Sequence, residues 1–265
     1  MSELVVATGF DLLEPIGLDE LISTADLQTR QDRKYLVPEA RLNDIVGDVT
    51  PARVLTIDEK RSFAYESVYF DTAERASYLG AARRRPQRFK VRTRSYLDSE
   101  LCVLEVKTRD ARQRTVKHRQ PYDFDDRYHL SAGGRAFVAE IAQAAASVDE
   151  LDPALITTYQ RTTMVFPASS CRVTIDTDVT WAGVNGQRAR LAGWALVETK
   201  TIGAPSGFDR ALWRHGHRPV VISKYGTGLA ALSTGLPANK WTRVLRQHFD
   251  PAAPTHTARA TSPYA

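Results

Sequence analysis

Apolar and polar positions alternate with a period of two along much of this chain, with helical spacing confined to a few short stretches. Asp19 can cap a helix, and Leu18, Leu21, Ile22 and Leu27 roughly follow helical spacing, which predicts a helix over 9–29. Residues Arg30 to Val37 read as a strand, and Pro38 suits the first turn of a helix covering roughly 38–47. Strand patterns follow at 53–58, 62–71, 88–97, 101–109 and 112–124, marked by alternation and by β-branched or aromatic residues. The polar link Leu97-Asp98-Ser99-Glu100 predicts a hairpin between 88–97 and 101–109. An alanine-rich run after Gly133-Gly134 predicts a helix over 135–148. After Pro153, strands resume at 155–166, 171–179 and 190–201, with short helices near 206–214 and 226–233. No linker splits the chain and no internal repeat recurs. The reading is a helical segment over 1–29, a principal domain over 30–235 and a C-terminal segment over 236–265, disordered after about residue 250. Contiguous strands argue against a parallel βαβ sheet and for a strand-dominated α+β fold, whose edges closure into a barrel would remove.

Within the strands the charges fall on one face. Side chains at i, i+2 and i+4 of a strand share a face. Lys90, Arg92 and Arg94 therefore align, as do Glu105, Lys107 and Arg109. Arg30, Asp32 and Lys34 align on the first strand, and Arg172, Thr174, Asp176 and Asp178 on a late one. Glu198 and Lys200 repeat the Glu-x-Lys spacing of Glu105 and Lys107. On one strand such alternation describes a solvated face. Five strands favouring Arg and Lys with isolated acids describe something else. Turned inward in a closed sheet, the cations would repel one another unless an anion lay among them. Phosphate oxygens suit Arg forks and Lys point charges, and a few carboxylates would hold a hard divalent cation that bridges those oxygens.

Composition sharpens this picture. The 265 residues carry 43% hydrophobic and 25% charged side chains, as a globular domain does. The net charge of +5 hides an asymmetry: between Arg83 and Arg119 stand 13 Lys or Arg against 4 acids, leaving 23 and 27 for the rest. A localised polyanion partner follows. No apolar run is long enough to span a membrane, and the start of the chain has acids where a signal peptide needs Lys or Arg. Cys102 and Cys171 match no metal spacing and read as buried thiols, so the expected location is cytoplasmic.

Neither GxxxxGK[ST] nor GxGxxG is present, and Gly226-Thr227-Gly228 after Ser223-Lys224-Tyr225 is the only short glycine-rich turn beside a lysine. His118, beside Lys117 and Arg119, reads as a surface residue rather than a base. The strings RQDRKYLV (30–37), YESVYFDT (65–72), FKVRTRSY (89–96), LEVKTR (104–109), YQRT (159–162), CRVTIDTDV (171–179), LVETK (196–200) and SKYGTG (223–228) occur in the order seen in VTC domains. On these strings the chain resembles the VTC, or polyphosphate polymerase, domains of the CYTH or triphosphate tunnel metalloenzyme superfamily. That resemblance implies a closed antiparallel eight-stranded β-tunnel with helices packed outside, basic walls and Mn²⁺ or Mg²⁺ held by Glu. It implies ATP or another nucleoside triphosphate and polyphosphate as ligands.

By the same resemblance, Lys34 is similar to the lysine at the tunnel mouth. Arg92 and Arg94 are similar to the paired arginines on the triphosphate, and Lys107 to the wall lysine. Arg161 and Arg172 resemble the later-strand arginines, and Lys224 the lysine of the SKY turn. These are the expected catalytic contacts; Lys90 and Lys200 join them as substrate-binding residues. Glu198 resembles the metal ligand, with Glu105 as companion or as an outward salt-bridge partner. Hydrolytic relatives open on ExExK, where this chain reads Arg30, Asp32, Lys34, so a two-metal hydrolytic site is disfavoured. A triphosphatase on the same tunnel and a non-catalytic polyphosphate or nucleotide sensor remain alternatives. Nucleic acid is disfavoured, because exposed aromatics for stacking are few. A membrane-protein partner is not readable from this chain.

Overall fold

A computed structural model describes residues 9–24, 31–49, 51–109, 115–142, 148–169 and 171–249. Eleven strands belong to one hydrogen-bonded sheet, and eight of them form an unbranched path, β2-β11-β9-β8-β4-β5-β6-β7. In chain order these are β2 (Gln31–Pro38), β4 (Phe63–Asp71), β5 (Arg88–Tyr96), β6 (Leu101–Arg109), β7 (Thr115–Tyr122), β8 (Asp152–Phe166), β9 (Cys171–Gly183) and β11 (Trp194–Thr201). Three short strands, β1 (Glu14–Ile16), β3 (Arg53–Leu55) and β10 (Arg188–Arg190), branch from it, and β1 pairs with β3 in parallel. The expected strand-dominated α+β class is thus observed, with a large and mainly antiparallel sheet. The path has β2 and β7 at its two ends.

Seven α-helices are described: α1 (Leu18–Thr24), α2 (Leu42–Gly47), α3 (Ala76–Ala82), α4 (Ala132–Ala142), α5 (Gly207–Arg214), α6 (Lys224–Leu232) and α7 (Thr242–His248). None is long and apolar enough to cross a membrane. The helix expected over 9–29 is corrected to β1 followed by α1. Pro15 cannot continue a helix, and the Gln31–Pro38 strand follows within a few residues. Sequence reading also missed α3 and α7, each only seven residues long. The expected tail after about residue 250, the end of the 135–148 helix, and Arg30 lie outside the described residues.

Two compact units are formed. The first takes the described residues of Met1–Phe63, Gln160–Val179 and Leu191–Val220; the second takes those of Ala64–Tyr159, Thr180–Arg190 and Val221–Ala265. In the first, Tyr35 and Val37 of β2, Val173 and Ile175 of β9, and Ala195 and Val197 of β11 point into a core completed by α2 and α5. In the second, Val68 and Phe70, Phe89 and Val91, and Leu104 and Val106 do the same against Val138 and Ala142 of α4. These are every-other-residue sets, so burial of one face turns each intervening charged residue to the other. Cys102 and Cys171 are both free and buried.

Candidate functional site

In the first unit, strand register sets the charged face. Lys34 lies opposite Glu198, and Lys200 opposite Asp32. Across β9, Glu198 meets Thr174 and Lys200 meets Arg172. Behind this face a buried carboxylate ties strands to helix: Asp209 of α5 accepts bonds from Tyr35 Oη at 2.7 Å and Thr199 Oγ1 at 2.6 Å. Its other oxygen accepts from Ser206 N and Oγ, both at 2.7 Å, in a reciprocal cap of α5. Tyr35 and Thr199 are thereby fixed backward, and their neighbours Lys34, Glu198 and Lys200 forward.

Glu198 stands 3.0 Å from Lys200 Nζ and 3.7 Å from Lys34 Nζ. Burial alone would raise its carboxyl, but the two ammonium groups and Arg161 hold it well below the usual carboxylate range. Burial pushes the Lys200 ammonium down, with Glu198 opposing that shift. Arg161 forks onto Asp176 at 2.6 and 2.8 Å. Arg172 donates to the Leu21 carbonyl of α1 at 3.3 Å. Of the five expected residues of this unit, Lys34, Arg161 and Lys200 act on the Glu198 carboxylate, while Arg172 lies opposite Lys200 on β9.

In the second unit the charges form rungs across three strands. Lys90, Lys107 and Lys117 are directly opposite one another, as are Arg92, Glu105 and Arg119 on the next rung. Glu105 is 4% exposed and surrounded by cations. Arg92 Nε donates to its Oε2 at 2.7 Å, Lys117 Nζ pairs with its Oε1, and an Arg94 nitrogen lies 3.9 Å away. Burial would raise the Glu105 carboxyl, yet these cations drive it far down. Desolvation pushes Lys117 down to about 8 against the pull of Glu105. The Arg94 Nε is buried and has no hydrogen-bond partner among the described residues.

Lys224 opens α6, and its Nζ lies 4.1 Å from the Tyr159 ring centroid. The two glycines after it serve close packing: a Cβ at Gly226 would overlap the Trp241 ring, and one at Gly228 the Trp181 ring. Tyr225 is anchored by Asp71, whose oxygens also accept the Thr72, Ser77 and Tyr78 backbone amides. Lys90 donates to Ser223 Oγ, the cap of α6, at 3.2 Å and lies over the Tyr69 and Tyr225 rings. Lys90, Arg92, Arg94, Glu105, Lys107 and Lys224 therefore share this unit. Sequence reading missed Lys117 and Arg119 as members of the charged face. The missed signal was alternation in β7, which sets Lys117 against Lys107 and Arg119 against Glu105.

A divalent cation was tested against the oxygen donors present. No group of three or more His, Cys, Asp or Glu converges among the described residues. Both oxygens of Glu105 are engaged closely by Arg92 and Lys117, whereas Glu198 has Lys200 Nζ at 3.0 Å on one oxygen and Lys34 Nζ only at 3.7 Å on the other, which leaves Glu198 as the less tightly held carboxylate. Directly opposite Glu198, the Thr174 hydroxyl is buried with no hydrogen-bond partner among the described residues. One carboxylate and one unspent hydroxyl fit a Mg²⁺-like ion that takes its remaining ligands from phosphate and water.

The VTC domain model matches residues 29–233. No curated protein matches the sequence. Among solved structures, a Bacillus halodurans protein with a provisional adenylate cyclase assignment is 11% identical, covering 73% of this chain and 95% of that one at a TM-score of 0.48. A Hippeastrum protein described as having a dominant triphosphatase activity is 13% identical, covering 80% of this chain and 100% of that one, also at 0.48. A third, from Pyrococcus horikoshii, is 10% identical, covering 74% and 92% at 0.42.

Proposed function

The chain belongs to the VTC domain family, and from that premise we propose that it performs metal-dependent phosphoryl transfer from ATP or another nucleoside triphosphate to polyphosphate. Residues 30–235 form the working domain, and the sheet closes into a tunnel with its charged face inward. The observation that carries this reading is the pair of charged strand faces, each placed back to back with a hydrophobic core.

Phosphoryl transfer needs alignment and charge neutralisation more than a strong base. Arg92 and Arg94 grip the donor triphosphate, with Lys90, Lys107 and Lys224 as further point charges. Lys34, Arg161, Arg172 and Lys200 hold phosphate oxygens around Glu198. The acceptor is the terminal oxygen of a polyphosphate, already ionised. Its new P–O bond to the γ-phosphorus forms as the bond to the β-bridging oxygen breaks, and the nucleoside diphosphate leaves. Mn²⁺ or Mg²⁺ held by Glu198 would neutralise charge on the bridged phosphate oxygens. An acceptor that is already ionised accounts for a site rich in cations and poor in bases.

The test is to incubate the purified chain with ATP and Mn²⁺ and to separate polymer, free phosphate and ADP. Polymer with little free phosphate is expected. Rapid phosphate release without polymer would transfer the site to triphosphate hydrolysis, and tight binding without turnover would make it a sensor. Arg30 stands where hydrolytic relatives carry a carboxylate, so Arg30→Glu should move the balance toward phosphate release while Lys34→Ala weakens both outcomes.

A further inference from the structure

The turn that closes α3 carries a group of cations outside the site described above. Helix α3 ends in a Schellman motif: the Arg85 amide donates to the Gly80 carbonyl at 2.9 Å and the Arg84 amide to the Ala81 carbonyl at 3.3 Å. Arg84 thereby takes the left-handed position of that motif, with φ of 53°, where glycine is the favoured residue. The far end of the turn is fixed by Arg88 Nη1, which donates to the Arg85 carbonyl at 2.7 Å. Arg83, Arg84 and Arg85 are all exposed, and none makes a side-chain hydrogen bond or ion pair among the described residues. A helix C-terminus attracts a cation through its free carbonyls, but Lys240 already fills that role by donating to the Ala81 carbonyl at 3.1 Å. No acid stands in the chain between Glu74 and Asp98, nor between Val221 and Phe249, the segment that brings Lys240. The fold has no use for three neighbouring arginines here, one of them at a position that favours glycine.

We propose that the Arg83–Arg85 turn is a peripheral docking surface for an anionic lipid bilayer. Charge complementarity names the class: three adjacent guanidinium groups with no acid among them match a surface that is negative throughout. Consecutive residues of a turn spread their side chains rather than converge them on one small anion, and a plane of headgroups meets each of them. Single-stranded nucleic acid needs exposed rings to stack on, whereas Tyr78 of α3 and the rings packed against it, Tyr225 and Trp241, are at most 1% exposed. A protein partner is anchored by apolar or aromatic side chains, and none of the exposed large hydrophobic residues belongs to α3 or to this turn. Guanidinium groups bind at headgroup depth without insertion, so attachment is reversible and weakens with salt. None of the three arginines takes part in the phosphoryl transfer proposed above, so the two stand or fall separately.

The test is co-sedimentation of the whole protein with vesicles of phosphatidylcholine alone and with vesicles containing about one third phosphatidylglycerol. The same measurement is made on a turn variant, Arg83→Gln with Arg84→Gln and Arg85→Gln. A control loses the same charge at other exposed arginines, Arg188→Gln with Arg210→Gln and Arg214→Gln. Each arginine near an anionic bilayer contributes about a fivefold factor in affinity, so the turn variant should bind anionic vesicles about 100-fold more weakly than wild type. The control should lose less than about threefold, and added salt should release the wild type. Equal losses from the two triple variants, equal binding to neutral and anionic vesicles, or no vesicle binding by the wild type would overturn the proposal. A parallel loss of tripolyphosphate affinity in the turn variant, read by calorimetry, would join the turn to the charged strand faces and refute it. Single-stranded RNA that displaces the protein from vesicles, and whose own binding the turn variant abolishes, would assign the turn to nucleic acid and refute it as well. Melting temperatures within about 2 °C of wild type are required of both triple variants. Should the turn variant fall outside that range, Arg84→Gly decides: glycine suits the left-handed position, so stability should be kept while anionic-vesicle affinity falls about fivefold.

Discussion

Both units turn a charged strand face away from a hydrophobic core, yet they balance the charge differently. In the first, Lys34, Arg161, Arg172 and Lys200 are set against Asp32, Asp176 and Glu198. In the second, the rungs Lys90–Lys107–Lys117 and Arg92–Glu105–Arg119 carry five cations and one carboxylate, with Arg94 beside that carboxylate as well. A nearly neutral cluster is stable empty and suits a site where a cation and an anion bind together. A strongly cationic row is self-repelling and gains most from the anion itself. Under the proposed phosphoryl transfer this divides the labour, with metal and phosphate meeting around Glu198 and the donor triphosphate gripped around Arg92.

The sharpest way to break that division is a pair of variants. Glu198→Gln should lower metal-dependent turnover by about 10²- to 10³-fold while triphosphate binding changes only a few-fold. Arg92→Ala should act in the opposite sense, raising KM more than it lowers kcat. Steady-state kinetics with a parallel binding titration checks both. Identical kcat and KM signatures from the two variants would dissolve the division.

The buried carboxylates that brace the two units should differ less. Asp209 in the first unit and Asp71 in the second are buried, multiply bonded carboxylates that tie a helix to the strands. Asp209→Asn and Asp71→Asn should each cost about 1–3 kcal/mol, read by urea unfolding, because each leaves a buried partner unsatisfied. A similar loss, about 1–3 kcal/mol, is expected for Gly228→Ala, which forces a methyl into the Trp181 ring. First-unit binding to a metal–phosphate pair should survive that glycine change if the two units work separately.

The smallest expected effect is a pH dependence of the second unit. Lys117 is cationic below about pH 8, where desolvation has lowered its ammonium, and neutral above. Its contribution to polyanion binding is therefore present at pH 7 and lost as pH rises past 8. Wild-type affinity for long polyphosphate should fall by a few-fold between pH 7 and pH 9, measured at fixed ionic strength. The Lys117→Met affinity should stay flatter over that window.

Much of both faces was legible in sequence because alternation fixes which residues share a side. FKVRTRSY assigned Lys90, Arg92 and Arg94 to one face and Val91 to the core, as the strand carries them. LVETK did the same for Glu198 and Lys200. Pairing between strands was not legible, since register depends on the whole sheet. Without it, Glu105 could be read as a metal companion, and its engagement by Arg92 and Lys117 stayed hidden. The packing role of the SKYGTG glycines was not legible for a different reason. Their small size admits two tryptophans that lie far off in sequence.

That last contact gives the protein a built-in optical gauge. Trp181 and Trp241 are each 1% exposed, and both press on the helix that begins with Lys224. Trp181 also donates its indole N–H to the Lys224 carbonyl at 2.7 Å. An indole so enclosed emits at shorter wavelength than one in water, and its emission responds when the wall beside it shifts. Any ligand that draws Lys224 by an ångström should therefore register in the intrinsic fluorescence of the unlabelled chain. The remaining two tryptophans, Trp194 and Trp213, belong to the other unit, so replacing them with phenylalanine would leave a signal from the α6 cage alone.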